Sequence, residues 1–227
     1  MKTKRKLIAG LSAAAVALGC ISSTSFADSA DELNSFEATS DNVKILGRAK
    51  YIGSANALWF GLTGAGVEFD FTGTTAVLNI SADSAASSDS SPARIAIYAD
   101  GEIYSDTTTL ISPKDYEVDF DERGTHTVRL IKLSECLNGT IRLNEIRTDS
   151  ETIAPTESKS RKIEFIGDSI TCGYGVDAAS GTFSTKTEDG SKTYAYKTAQ
   201  KLDADYSMVC FSGYGVISGT GFIPSVS

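Results

Sequence analysis

Histidine is nearly absent from this chain: His126 is the only one in 227 residues. A serine or threonine nucleophile needs a base to take its proton, so any such chemistry here has one imidazole to draw on. Positive charge is also in deficit. The formal net charge is -8, and residues 1–27 carry four positive charges (Lys2, Lys4, Arg5, Lys6) and no negative ones, which leaves -12 on the remainder. That balance argues against nucleic acid as a partner and suits an extracellular protein acting on neutral or cationic material.

Cysteine is sparse. Beyond Cys20 there are Cys136, Cys172 and Cys210, an odd count that speaks against a disulfide framework. No pair has metal-ligand spacing, so the three read as free buried thiols. Long hydrophobic runs are missing as well. The apolar stretch Leu7 to Ile21 is too short and alanine-rich for a membrane span. Behind its lysines and ahead of Ser25-Phe26-Ala27 it is predicted to be an export signal, residues 1–27, cleaved after Ala27. Cys20 after Ala17-Leu18-Gly19 approximates a lipoprotein box with alanine where leucine is usual, so secretion is preferred over anchoring at a bacterial cell surface.

What is present divides in two. After an N-terminal linker, 28–40, residues 41–150 show no helical period. They hold short alternating runs at 57–60, 66–71, 76–81, 94–98, 116–120, 126–133 and 140–146, separated by Gly, Asp, Ser and Pro. That pattern predicts an antiparallel β-sandwich or jelly roll, long enough to bury its own core. Asp100-Gly101 is expected to close a two-residue hairpin, and 81–91 is expected to be a mobile loop. The polar stretch Thr148 to Ser160 reads as a linker (151–160 at its narrowest) leading into 161–227.

From Lys162 the pattern changes to strand, turn, helix, strand, the opening of a parallel α/β sheet. Ile163, Phe165 and Ile166 run into Gly167-Asp168-Ser169; Tyr194, Ala195, Ala199 and Leu202 share a helical face; Tyr206 to Phe211 ends in Ser212-Gly213-Tyr214-Gly215. A serine where a strand turns into a helix exposes its hydroxyl, beside backbone N–H groups suited to developing negative charge. The competing reading is a plain helix N-cap. Two strands and one helix cannot cover a parallel sheet on both faces, so apolar strands in this part are expected to lie exposed. Proteolysis is expected to trim the chain after the linker, and deletion of 155–227 to leave the sandwich intact.

FIGDSITCGYGV and the later FSGYGV resemble the first two blocks of the SGNH (GDSL-type) hydrolases, and more narrowly carbohydrate esterase family two. Upstream, ILGRAKY, ANALWFGLTGAGVEFDFTGT, IYADGE and HTVRLIKLSE resemble the jelly-roll domain that precedes the catalytic domain in those acetylxylan esterases. The resemblance implies that Ser169 is a nucleophile toward acetyl esters on plant polysaccharide such as xylan. It implies that the Ser169 and Gly213 N–H groups form the oxyanion hole, with Gly215 the alternative donor. The family's later Asn and C-terminal His have no counterpart before Ser227, so a truncated hydrolase domain with hardly any activity alone is expected. The alternative is a non-catalytic carbohydrate-binding or structural sandwich with a vestigial stub.

Other candidates read structurally. The alternation of THTVRLIKL puts His126 on the face of Val128 and Leu130. Leu58 and Phe60 suggest a core or interface role for Trp59, and Asp168 and Thr171 serve the turn and helix start. No metal or organic cofactor is implied, and a monomer is expected.

Overall fold

The computed structural model describes residues 33–88, 91–180 and 183–215; the expected signal segment 1–27, with Cys20 and Ala27, lies outside them. In chain order the strands are β1 (Asn34–Phe36), β2 (Lys44–Leu46), β3 (Lys50–Ile52), β4 (Ala57–Phe60), β5 (Gly66–Ala82), β6 (Arg94–Ala99), β7 (Glu102–Thr108), β8 (Lys114–Lys132), β9 (Ile141–Thr148) and β10 (Ile153–Pro155). Then follow β11 (Arg161–Gly167), α1 (Ser169–Cys172), α2 (Tyr194–Lys201) and β12 (Ala204–Cys210). β1 to β10 make one antiparallel sheet, ordered β3-β4-β9-β5-β8-β6-β7, with β1 on β9 and both β2 and β10 on β5.

Two long strands curl this sheet over its own core. β5 has 17 residues and β8 has 19. They pair along their length and bend where Gly73 faces Gly124 and the register slips before Thr75. The sequence predicted separate strands at 66–71 and 76–81, and at 116–120 and 126–133. Each pair is one bent strand, because the polar tract between its halves forms a bulge and stays extended instead of reversing. The Asp149 carboxylate stabilises that bulge, accepting from Thr74 N–H at 3.0 Å and Thr75 N–H at 3.2 Å and pairing with Arg123 at 3.0 Å. A Cβ on Gly73 would lie 1.9 Å from Asp149 Oδ1 and would displace that carboxylate.

Alternation then delivers Leu58, Phe60, Val67, Phe69, Phe71, Leu78, Ile80, Ile95, Ile97, Val128, Leu130, Ile141 and Leu143 to one core, each such side chain contributing about 1.5–3 kcal/mol by burial. The β6–β7 hairpin closes at Asp100-Gly101 with φ of 49° and 89°, the left-handed pair that such a turn needs. Trp59 departs from expectation. It projects from β4 on the face opposite Leu58 and Phe60, outside the core, with the Arg142 guanidinium 4.3 Å from its ring centre. Strand alternation, not the apolar character of its neighbours, decides its side.

The stretch read as linker also contributes. Ile153 is 7% exposed and packs in the sandwich core, and β10 pairs with β5. In the loop expected at 81–91, Ser81 and Ala82 belong to β5, and Ser84–Ser87 form a 3₁₀ turn capped by Asp83.

β11 and β12 pair in parallel from Arg161↔Ala204 to Gly167↔Cys210. α2 buries Ala195, Tyr196 and Ala199, while Tyr194 and Leu202, grouped with Ala195 and Ala199 on one helical face, are exposed. The uncovered strands predicted after Lys162 are uncovered on one side only. Tyr206, Met208 and Cys210 of β12 pack with α2 and with Leu46, Ala96, Tyr98, Ile131 and Leu133 of the sandwich in a second core. Ile166 is 80% exposed on the other side. The described residues from 33 onward thus belong to a single compact unit.

Candidate active site

In a parallel pair both strands end at the same edge, and turns at that edge face one cleft. Gly167 pairs with Cys210, and Phe211 N–H continues the ladder to Gly167 O at 3.2 Å. The Ser169 turn and the Ser212-Gly213 turn therefore leave the sheet side by side. Gly167, Asp168, Ile170, Thr171, Tyr194, Phe211 and Tyr214 line a cleft of about 510 Å³ there.

Each turn has a local cause. Asp168, not Ser169, is the N-cap: its side chain accepts from Ile170 N–H at 3.0 Å, which leaves the Ser169 hydroxyl without a hydrogen bond among the described residues. Gly167 opens the turn. Its need is steric, because a Cβ would lie 2.0 Å from Thr171 Oγ1. Thr171 in turn shares a 2.9 Å hydrogen bond with Tyr194 OH. On the other strand, Tyr214 N–H returns to Phe211 O at 3.3 Å, closing a turn whose third residue, Gly213, has φ of 81°. That geometry favours glycine and leaves the Gly213 N–H unengaged among the described residues. Gly215 lines the same cleft.

The single histidine is elsewhere. His126 Nδ1 lies 2.8 Å from Asp100 Oδ2 and Nε2 lies 2.9 Å from Glu122 O, with the ring stacked on Phe120 at 3.8 Å. Burial opposes its charge, but the Asp100 carboxylate and the Glu122 carbonyl outweigh it and raise the pKa. Both ring nitrogens are committed within the sandwich, so His126 is not the base for Ser169.

Behind the two turns lies a polar network that sequence reasoning missed. Lys132, 0% exposed, donates from Nζ to Ser134 O and Glu135 O, both at 2.6 Å. Glu135, 1% exposed, accepts from Ser212 N–H at 2.8 Å and from Cys172 Sγ at 3.8 Å. Glu188, also fully buried, accepts from Asn138 Nδ2 at 3.0 Å, and its second oxygen has no partner among the described residues. Burial, reinforced by the Glu135 charge, pushes the Glu188 carboxyl up to about 7. Burial pulls Lys132 down to about 8 against the pull of Glu188. Glu135, Cys172 and Glu188 place one potential metal-ligating atom each within 4.8 Å of the others. The Lys132 ammonium, bonded to the Ser134 and Glu135 carbonyls, already supplies positive charge near both carboxylates, so the group reads as a buried polar network. A lysine and a glutamate inside the apolar run LIKLSEC were the available signal, since such residues are seldom buried unless paired.

Comparison with known proteins bears on this arrangement. The carbohydrate esterase 2 N-terminal family model matches residues 45–157. The chain belongs to carbohydrate esterase family two. Among curated relatives of this family-two chain, the cellulase/esterase CelE of Acetivibrio thermocellus is 36% identical over 104 residues, 44% of this chain and 13% of that protein. An acetylxylan esterase / glucomannan deacetylase of Cellvibrio japonicus is 36% identical over 108 residues, 45% of this chain and 30% of that protein. A family-two carbohydrate esterase structure from Clostridium thermocellum, in complex with cellohexaose, superposes with a TM-score of 0.72 at 27% identity, covering 81% of this chain and 55% of its own. The family-two chain therefore spans well under two thirds of each. Ser169 and Gly213 lie outside the 45–157 match. Among the described residues no helix is long and apolar enough to cross a membrane.

Proposed function

We propose that this chain is the N-terminal part of an exported serine carbohydrate esterase that removes acetyl groups from plant cell-wall polysaccharide such as acetylated xylan. Residues 41–150 form its scaffold and 161–227 open its hydrolase domain. The observation that carries this reading is the shared edge of β11 and β12 in a family-two chain: the Ser169 and Gly213 turns leave it side by side, next to a cleft lined by Asp168, Ile170, Phe211 and Tyr214, and the Ser169 hydroxyl and Gly213 N–H have no hydrogen-bond partner among the described residues. Ser169 Oγ would attack the ester carbonyl, and its own N–H and that of Gly213 would stabilise the tetrahedral oxygen. No histidine reaches Ser169, so the chain alone should turn over poorly. Losing a triad member leaves about 10³–10⁴-fold over water, and His126, held by Asp100 and Glu122, does not supply the base for deacylation.

The test is trapping. The 227-residue chain is incubated with 4-nitrophenyl acetate at alkaline pH and mapped by peptide mass spectrometry. Selective acetylation of Ser169, with negligible steady-state turnover, is expected. No preference for Ser169 over other serines, or ordinary turnover that survives Ser169→Ala, overturns the assignment.

A further inference from the structure

The residue that sets the oxyanion turn comes from the other segment of the chain. Glu135 follows β8 of the sandwich, 77 residues before the Ser212 N–H that it accepts at 2.8 Å. The same oxygen, Oε2, is the acceptor for the Cys172 thiol at 3.8 Å. Ser212 immediately precedes Gly213, and Cys172 closes the four-residue helix that Ser169 opens. One buried carboxylate thus touches both turns from beneath. The backbone that carries it is held by Lys132, which donates to the Glu135 backbone carbonyl and to Ser134 O. Neighbouring contacts share this base: Gly190 N–H donates to Leu133 O at 2.9 Å, and Asp189 N–H to Gly173 O at 3.2 Å. Gly190 sits so close to the sandwich that a Cβ there would lie 2.0 Å from the Thr63 methyl.

We propose that Glu135 is a positioning residue for the esterase site: by holding the Ser212 N–H it fixes the peptide that aims Gly213 N–H at the reacting oxygen. This rests on the esterase reading above. A misaimed oxyanion donor forfeits much of its effect, since removing one outright costs about 10²–10³ in rate. The β-sandwich is on this account part of the catalytic apparatus, acting through one carboxylate.

Replacing Glu135 alone would remove one of the negative charges that favour the buried Lys132 ammonium, so the test uses charge-balanced pairs. Lys132→Met/Glu135→Leu removes the acceptor, whereas Lys132→Met/Glu135→Gln keeps an amide oxygen for Ser212 N–H. The leucine pair is expected to keep its melting temperature within a few degrees, to exchange the Ser212 and Gly213 amides about 10-fold faster, and to slow Ser169 acetylation by about 10–100-fold. The glutamine pair is expected to restore acetylation to within about 3-fold of native, which a purely packing role would not do. Native acetylation in the leucine pair overturns the proposal and leaves the esterase reading standing. Absence of selective Ser169 acetylation in the native chain takes down both. Should the leucine pair fail to fold, the native chain decides: a Ser212 amide protected as strongly as β12 supports the anchor, and exchange at the rate of an open loop overturns it.

Discussion

The carboxyl of Glu188 illustrates how a single buried group makes the protein sensitive to pH. Its second oxygen has no partner among the described residues, and burial together with the Glu135 charge raises its pKa from 4.5 to about 7. A carboxyl that holds its proton more tightly when folded contributes stability that is complete below the unfolded pKa of 4.5 and is lost as pH climbs through 7. Lys132, pulled down to about 8 from 10.5, acts in the separate window above 8. His126, whose pKa is raised, acts with the same sign as Glu188. Urea unfolding is therefore expected to show a loss of roughly 2–3 kcal/mol from Glu188 between pH 4.5 and 8. Glu188→Gln should remove that share of the slope and keep the contact with Asn138. An unchanged slope in the variant would show that the carboxyl is not protonated in the fold.

At the scale of elements, the bend that β5 and β8 share is what gives the sheet two layers, and Asp149 is its keystone. Burial works against ionisation of that carboxyl, but the Thr75 and Thr74 N–H groups, the Thr74 hydroxyl and Arg123 outweigh it and lower its pKa. Its contribution is thus present above the ordinary carboxylate range and lost as pH falls through the depressed value. Asp149→Ala strands two backbone donors and is expected to cost about 2–4 kcal/mol at neutral pH, read from the denaturant midpoint. Asp149→Asn should recover part of this, because one carbonyl oxygen still reaches the bulge. A loss below about 0.5 kcal/mol in the alanine variant would mean that the paired strands hold the bend unaided.

For the whole molecule, the decisive feature is the seam between the sandwich and the segment after Lys162. Tyr98, Ile131 and Leu133 are buried against Tyr196, Tyr206 and Met208. Arg94 reaches across to Asp177 at 2.9 Å while holding Asp106 at 2.6 Å, and Tyr206 OH donates to Gly64 O at 2.9 Å. Deletion of 161–227 is consequently expected to lower the melting temperature of the sandwich by at least about 5 °C. It should also raise binding of a hydrophobic dye, since an apolar patch with a buried lysine beneath it would meet water. An unchanged melting temperature, which the polar linker composition alone would suggest, would show that the seam adds nothing to the stability of the sandwich.

The amino-acid sequence by itself determined whatever depends on neighbours along the chain. Period-two alternation located β4, β6 and β9, Asp100-Gly101 specified its hairpin, and runs such as ANALWFGLTGAGVEFDFTGT pointed to the family whose model matches residues 45–157. It could not show that Gly73-Thr74-Thr75 is a bulge, because the stabilising carboxylate is 75 residues away from Thr74. Nor could it show that Trp59 faces Arg142, which depends on the pairing of β4 with β9. Lys132 and Glu135 look like surface residues until Ser212, Cys172 and Glu188 are brought around them. Tertiary structure alone decided these, since the energy of a buried charge is set by the partners that folding assembles from distant segments.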